Sequence, residues 1–284
     1  MSDAPRRVPL QAGDGHAFAV VRCLPAQARA RLLWLPALGV AARHYLPLAQ
    51  ALAARGIAVY LHEWRGNGSS ALRPSRRHDW GYRELLDHDL PASQALMARD
   101  DADHHPLPWI IGGHSLGAQL ACVHAARATP RFPCLWLVAS GTPWWRSFPA
   151  PRSWLLPLAY RFLPWLAQRQ GALHGRRIGF GGTEARGVIR DWARVGLSNR
   201  YAAAGLDECL EQRLRALRGE AVLVMMADDW MAPIGSMQAL MAKLPQVRST
   251  MTVLQATERG RRADHFGWMA SPHAVADVLC RSFA

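Results

Sequence analysis

The sequence predicts an α/β fold, with a mostly parallel, twisted sheet, helices on both faces and an inserted, mainly helical cap. Three observations lead to this prediction. Short apolar segments alternate with segments of helical periodicity in both halves of the chain. A glycine-rich turn at residues 112–117 joins one apolar segment directly to a helical one. The alternation stops between residues 142 and 217, a stretch rich in tryptophan and proline.

Length and composition agree with one large domain. The chain has 284 residues, of which 50% are hydrophobic and 19% are charged, as in globular and not in disordered proteins. We divide it into a first part of the α/β core at 1–141, a cap insertion at 142–217 and a second part of the core at 218–284.

The elements before the glycine-rich turn follow in regular order. Apolar or alternating segments predict strands at residues 7–10, 16–22, 31–35 and 57–61. Segments with helical spacing of leucine and alanine predict helices at residues 44–55 and 82–99. The polar residues 100–106 predict a loop, and their Asp and His residues have no spacing that suits a metal site.

Gly113, Ser115 and Gly117 form a G-x-S-x-G motif, the pattern of a nucleophile elbow. Trp109-Ile110-Ile111 before it predicts a buried strand, and the Ala-, Leu- and Gln-containing segment after it predicts a helix. In such a turn the serine Oγ is exposed above the sheet, and the glycines let strand and helix pass without a Cβ clash. The Leu116 N–H then lies at a helix N-terminus, where it can bind developing negative charge.

The segment after the next predicted strand, 134–139, predicts the cap. It contains paired tryptophans, many prolines and the run WLLPLAYRFLPW at 154–165. This run fits a helix that covers an apolar acyl pocket, or a helix that lies on a membrane surface. We favour the pocket cover over peripheral membrane contact.

Strand and helix alternate again after the cap. Residues 221–226 and 250–254 predict strands, and residues 234–244 and 272–283 predict helices. The first of these strands ends in Asp228-Asp229, and either carboxylate could reach a histidine along the sheet edge. We favour Asp229, four residues before Pro233. Of the two downstream histidines, we favour His265, in a loop, over His273, in the last helix.

The net charge of +13 comes almost entirely from arginine, because Lys243 is the only lysine. The arginines are scattered and no nucleic-acid-binding motif accompanies them, so we expect no nucleic-acid partner. We interpret them as a solvated surface, with attraction to anionic substrates or lipid headgroups as the alternative.

The five cysteines are widely spaced and form no C-x-x-C pair, which predicts reduced thiols in a cytoplasmic protein. The N-terminal residues have no apolar stretch typical of a signal peptide. No apolar run reaches the ~18 residues of a membrane span.

Taken together, the motifs resemble those of α/β-hydrolases, especially predicted bacterial members whose cap is rich in tryptophan and proline. The matching segments cover most of the chain and are P-A-L-G-V at 36–40, E-W-R-G-N-G-S-S at 63–70, G-H-S-L-G at 113–117, D-D-W-M-A-P at 228–233 and D-H-F-G-W at 264–268. The order Ser115, Asp229, His265 is the nucleophile–acid–base order of this fold. In one departure, Pro36-Ala37 stands where the family commonly has His-Gly.

The resemblance implies acyl transfer from a Ser-His-Asp triad. Ser115 would be the nucleophile, His265 the base and Asp229 the acid that orients it. By position, the backbone N–H groups of Leu38 and Leu116 would form the oxyanion hole. No metal or organic cofactor is implied.

The function predicted from the sequence is cleavage of a small-molecule ester or thioester with an apolar acyl group, through an acyl-enzyme. Transfer of the acyl group to another acceptor and hydrolysis of a C–C bond use the same triad and stay open. A binding protein without activity on the same scaffold is the alternative of a different class. The sequence does not define the oligomeric state.

Overall fold

The structure is a computed structural model that describes residues 4–102, 107–128, 132–179, 181–255 and 263–281. The strands in this part of the chain are β1 Arg6–Gln11, β2 Ala17–Cys23, β3 Ala30–Leu35, β4 Ile57–Leu61, β5 Trp109–His114, β6 Cys134–Val138, β7 Leu173–His174, β8 Thr183–Glu184, β9 Gly219–Met226 and β10 Val247–Leu254. Eight of them form one sheet in the order β1-β2-β4-β3-β5-β6-β9-β10, and β7 pairs with β8 separately.

The main sheet is mostly parallel, as predicted, with two antiparallel strands at one edge. β1 and β2 are antiparallel to their neighbours, and the six strands from β4 to β10 in the sheet order are parallel to each other. The chain moves outward from β3 to β4 and then returns to β5 on the other side of β3. The carboxyl ends of β3 and β5 therefore lie next to each other where the strand order reverses, the usual place for a site in an open α/β sheet.

The helices of the described residues are α1 Leu46–Ala53, α2 Tyr82–Glu84, α3 Leu90–Ala102, α4 Leu116–Arg127, α5 Arg152–Gln170, α6 Arg186–Ser198, α7 Leu210–Ala216, α8 Ile234–Met241 and α9 His273–Cys280. A π-helical turn, Leu85–Asp89, joins α2 to α3. The helix predicted at 82–99 is thus present, but it continues to Ala102. The predicted loop at 100–106 is wrong for residues 100–102, and residues 103–106 lie outside the described residues.

The central strands are buried on both faces, which explains their nearly continuous apolar sequences. Alternate residues point to opposite sides of the sheet. Leu33 and Ile111 pack on the side of α3 and α4, and Trp34 and Ile110 pack on the side of α1 and α9. Burying each of these side chains contributes about 1.5–3 kcal/mol to stability. The packing therefore fixes the ends of the central strands, from which the loops above the sheet start.

The chain between β6 and β9 contains α5, the β7–β8 pair, α6 and α7. α5 packs closely on α6 at Gly196, where an added Cβ would lie 2.5 Å from the Tyr160 ring. α7 buries Leu210 and Leu214 in the same cluster as the sheet. The limits of the cap at 142 and 217 stay a prediction.

Within the described residues, no helix combines the length and apolar composition needed to cross a bilayer. All five cysteine thiols are free, and only Cys209 is exposed.

Candidate active site

Ser115 occupies a strained turn between β5 and α4. Its backbone has φ 55° and ψ −122°, a conformation that non-glycine residues rarely adopt. A Cβ at Gly117 would lie 2.1 Å from the Leu35 oxygen, and one at Gly113 would lie 2.6 Å from the same atom. Only glycine fits at both positions, so the motif has the steric properties that the elbow requires.

Asp229 lies just after β9 and is buried, whereas Asp228 beside it is exposed. Asp229 Oδ1 accepts hydrogen bonds from the Met231 N–H at 2.8 Å and the Ala232 N–H at 2.9 Å. These bonds fix the carboxylate so that Oδ2 points to His265. The structure therefore brings Asp229, and not Asp228, to the predicted base.

His265 is buried next to Asp229, with 2.7 Å between its Nδ1 and Asp229 Oδ2. The backbone oxygen of His265 accepts a bond from Trp268 Nε1 at 3.0 Å, which holds the loop in place. The ring of His114 lies 4.7 Å from that of His265. Burial, with His265 as a smaller cause, keeps the pKa of His114 well below its usual range, so His114 is neutral. His273 is exposed at the start of α9.

Ser115 and His265 line the same cavity, which has a volume of about 270 Å³. Ser115 Oγ has no hydrogen-bond partner among the described residues. Hydrogen bonds between nucleophile and base are often long in unliganded sites and tighten when substrate binds. The arrangement thus places Ser115 and His265 on one cavity, with Asp229 hydrogen-bonded to His265.

The loop after β3, residues 36–39, forms the opposite wall of the cavity. Trp64 Nε1 donates to the Pro36 oxygen at 2.7 Å, and the Ala37 N–H donates to the Tyr45 hydroxyl at 2.9 Å. The N–H groups of Leu38 and Leu116 donate no hydrogen bond to the described residues, and both residues line the cavity. Two free donors therefore lie in the walls beside Ser115, and the Pro36-Ala37 sequence is compatible with this.

Tyr45 connects the loop at 36–39 to the elbow. Its hydroxyl accepts a hydrogen bond from the Ala37 N–H and forms a second hydrogen bond, of 2.8 Å, with His114 Nδ1. Burial raises the pKa of Tyr45 far above its usual range, so the hydroxyl stays protonated. Sequence reasoning missed Tyr45, because within the predicted helix at 44–55 it reads as an ordinary apolar position.

The cavity is mainly apolar. Its walls come from the elbow, the loop at 36–39, helix α5 and the segment after Asp229. Its apolar lining includes Leu38, Phe148, Leu156, Ala159, Leu163, Trp192 and Ala232. No Asp, Glu, Lys or Arg of the described residues lines it. The chemistry of the walls suits an uncharged, apolar group.

Glu184 is buried behind the loop at 36–39. Its Oε1 accepts a bond from the Gly182 N–H at 2.8 Å. Gly39 has φ +72°, and a Cβ there would lie 2.0 Å from the Gly182 nitrogen and 2.6 Å from Glu184 Oε1. The segment that contains Gly182 and Glu184 thus packs directly against the loop that carries Leu38, and no sequence pattern indicated this contact.

A second Ser-His-Asp array lies elsewhere in the core. His16 Nε2 is 2.9 Å from Ser70 Oγ, and His16 Nδ1 is 3.1 Å from Asp89 Oδ1. Ser70 Oγ accepts bonds from the Gly66 and Leu72 N–H groups, and Asp89 also pairs with Arg65. Since all three residues are buried and none lines the cavity of Ser115, this array fixes the turn after β4.

Among the described residues, no group of three or more His, Cys, Asp or Glu side chains is placed to hold a metal ion. Two other grooves, one beside Pro133 and Glu220 and one beside Gln94 and His124, contain none of the three site residues. The cavity of Ser115 is therefore the candidate active site.

A mostly parallel sheet with a serine in a strained strand-to-helix turn at its switch point is the arrangement of α/β-hydrolases. The model of the family described as serine aminopeptidase, S33, matches residues 26–256. The chain belongs to this family and is a hydrolase of the α/β-hydrolase fold, which confirms the resemblance found in the sequence. No curated protein matches the chain.

Solved structures share the fold at low sequence identity. A hydrolase from Pseudomonas aeruginosa has a TM-score of 0.64 at 15% identity, and the match covers 99% of this chain and 100% of that one. An esterase domain from Rhodothermus marinus has a TM-score of 0.63 at 18% identity, and the match covers 99% of this chain and 98% of that one. The thioesterase domain from the curacin biosynthetic pathway has a TM-score of 0.57 at 16% identity, and the match covers 98% of this chain and 100% of that one.

Proposed function

We propose that this protein is a serine hydrolase that cleaves carboxylic esters or thioesters with an apolar acyl group. The observation that carries the proposal is the buried Asp229–His265 hydrogen bond of 2.7 Å on the cavity that Ser115 also lines. This is the relation between acid, base and nucleophile that acyl transfer needs.

In the proposed reaction, Ser115 Oγ attacks the substrate carbonyl carbon while His265 Nε2 takes the hydroxyl proton. The oxyanion that forms accepts hydrogen bonds from the Leu38 and Leu116 N–H groups, each worth about 3–4 kcal/mol in comparable sites. The bond to the leaving alcohol or thiol breaks, and His265 protonates that group. Water, deprotonated by His265, then attacks the acyl-enzyme and releases the acid and Ser115. Asp229 stabilises the imidazolium in both halves.

The cavity supports an apolar acyl group of modest size. Its volume of about 270 Å³ is slightly below the range of about 300–1,000 Å³ for drug-sized ligands. The family description names an aminopeptidase, yet a buried α-ammonium group needs an anionic partner. No acidic side chain of the described residues lines the cavity, which favours an ester or thioester. The esterase and thioesterase domains among the structural neighbours agree with this substrate class.

The first test is labelling with a fluorophosphonate probe, followed by hydrolysis of p-nitrophenyl esters of increasing chain length. We expect the intact protein to be labelled, and Ser115→Ala to abolish both labelling and turnover. Asp229→Asn should lower kcat by about 10⁴-fold, because the imidazole then takes the wrong tautomer. Labelling that persists in Ser115→Ala would contradict the proposal.

Ser70→Ala is the matched control, because Ser70 belongs to the second, buried Ser-His-Asp array. It should keep both label and turnover, with circular dichroism to check folding. If the folded wild-type protein neither labels nor hydrolyses any ester, a binding role on this scaffold replaces the proposal. Labelling without ester turnover would assign another acyl acceptor or substrate.

A further inference from the structure

The cap helix α5 has two apolar faces. One face, which includes Leu156, Ala159 and Leu163, lines the cavity of Ser115. The other face consists of large apolar side chains that are 51–71% exposed: Trp154, Leu155, Leu158, Phe162 and Trp165. At 3.6 residues per turn, these five side chains fall within an arc of about 100°, on the side of the helix away from the cavity. We call them the outer stripe.

The sequence around the outer stripe carries only positive charge. Residues 142–183 contain no Asp or Glu and six arginines, namely Arg146, Arg152, Arg161, Arg169, Arg176 and Arg177. By helical period, Arg161 lies at the edge of the outer stripe and Arg169 lies within it. Both are exposed, and the Arg169 guanidinium lies 5.6 Å from the Trp165 ring. The outer stripe is thus apolar and bordered by cations.

The outer stripe also adjoins the mouth of the cavity. Trp230, Ile178 and Phe266 line the cavity and are exposed. Arg152, the first residue of α5, lies 5.1 Å from the Trp230 ring. Because one helix forms both the cavity wall and the stripe, a molecule held at the stripe is one helix diameter from the cavity.

We infer that the outer stripe docks this protein on the surface of an anionic lipid bilayer. An interfacial helix buries apolar and aromatic side chains at the boundary between headgroups and acyl chains. Its arginines extend to the anionic headgroups with their aliphatic stems along the apolar surface. α5 presents this combination, and peripheral binding of this kind needs no membrane-spanning helix.

Charge argues against a second copy of the chain as the occupant of this face. Two outer stripes placed together would bring two sets of six arginines into one interface without a carboxylate from residues 142–183. A protein partner binds best through anchor side chains that fill pockets, whereas the stripe is the outer surface of a single helix. A fluid, negatively charged surface suits both the shape and the charge.

The test measures sedimentation of the full chain with vesicles of phosphatidylcholine alone and of phosphatidylcholine mixed with phosphatidylserine. In the key variant, Trp154→Gln, Leu158→Gln and Phe162→Gln are combined. Glutamine is a good helix former, and none of the three residues lines the cavity, so hydrolysis of dissolved esters should not change. Met251→Gln is the matched control, because Met251 is an exposed apolar residue on β10.

We expect the wild type and Met251→Gln to bind the mixed vesicles, and the triple variant to bind at least tenfold more weakly. Arg161→Gln combined with Arg169→Gln should weaken binding about 25-fold, at roughly fivefold for each arginine. Added salt should weaken wild-type binding, because it screens this attraction.

Three results would overturn the inference: no wild-type binding to mixed vesicles, equal binding by the triple variant, or self-association of the wild type that the triple variant loses. The last result would assign the stripe to a second copy. If the first result came with specific retention of an acidic protein, the stripe would be assigned to a protein partner. Since binding is measured without turnover, failure of the proposed ester hydrolysis would not affect this test.

Discussion

The buried carboxyl of Glu184 should make the stability of this protein depend on pH. Glu184 lies in β8 behind the loop that carries Leu38, and Oε1 accepts one hydrogen bond, from the Gly182 N–H. Burial raises the pKa of Glu184 to about 7, and the bond from Gly182 only partly opposes this effect. The native protein therefore holds a proton that the unfolded chain has already lost. Glu184→Gln keeps the acceptor oxygen and removes the ionisation.

The magnitude follows from the two pKa values. The pKa of Glu184 rises from 4.5 to about 7 on folding, and each pH unit is worth about 1.36 kcal/mol. The carboxyl thus contributes about 3 kcal/mol of pH-dependent stability. Because the native pKa is the higher one, this contribution is fully present below about pH 4.5 and is lost as the pH rises through about 7.

Urea unfolding of the wild type and Glu184→Gln, followed by circular dichroism between about pH 5 and 8.5, measures this difference. The wild type should lose the contribution of Glu184 between these pH values, whereas Glu184→Gln should not. The difference in unfolding free energy, variant minus wild type, should therefore be about 2–3 kcal/mol larger at pH ~8.5 than at pH ~5. Burial also raises the pKa of Glu63 and of Asp191. Because both residues are present in the wild type and in Glu184→Gln, their effects cancel in the comparison. Glu220→Gln, at an exposed site, controls for the loss of charge. Parallel curves for the wild type and Glu184→Gln would refute the reasoning.

Two further predictions concern catalysis. Tyr45→Phe leaves the Ala37 N–H and His114 Nδ1 without their partner, so we expect about 2 kcal/mol lower stability and roughly tenfold lower kcat with little change in KM. Unfolding and steady-state kinetics check this, and an unchanged kcat would show that the loop at 36–39 keeps its position without Tyr45. Ala159→Phe fills part of the cavity of about 270 Å³, so the ester series should shift to shorter acyl chains, with KM for the longest ester raised about tenfold. An unchanged chain-length profile would show that the acyl group does not lie against α5.

The elements best predicted from the sequence are those that local pattern controls. The strand at 57–61 is present with the predicted bounds, because five apolar residues after Gly56 are too few for a helix and suit a buried strand. The π-helical turn Leu85–Asp89 was not predictable, since the same leucines also fit a regular α-helix. The predicted helix at 44–55 is a 3₁₀ turn, Ala42–Tyr45, followed by α1.

Choices between neighbouring residues needed the tertiary structure. Asp228 and Asp229 follow the same strand, and only the turn to Met231 and Ala232 decides which carboxylate is buried against His265. Likewise, the composition of the run at 154–165 fits both a pocket cover, which we favoured, and a helix on a membrane surface. The structure shows one face of α5 in the cavity and the other exposed, so membrane contact, the interpretation we disfavoured from the sequence, becomes the further proposal.

By itself, the sequence determined the fold class, the family and the position of the elbow at Ser115, because periodicity and the G-x-S-x-G spacing are local properties of the chain. Only the tertiary structure decided which residues meet around that serine. Asp229 and His265 are 36 residues apart, and Tyr45 and His114 are 69 apart. Such contacts depend on how the sheet brings loop ends together, and no local pattern encodes that distance.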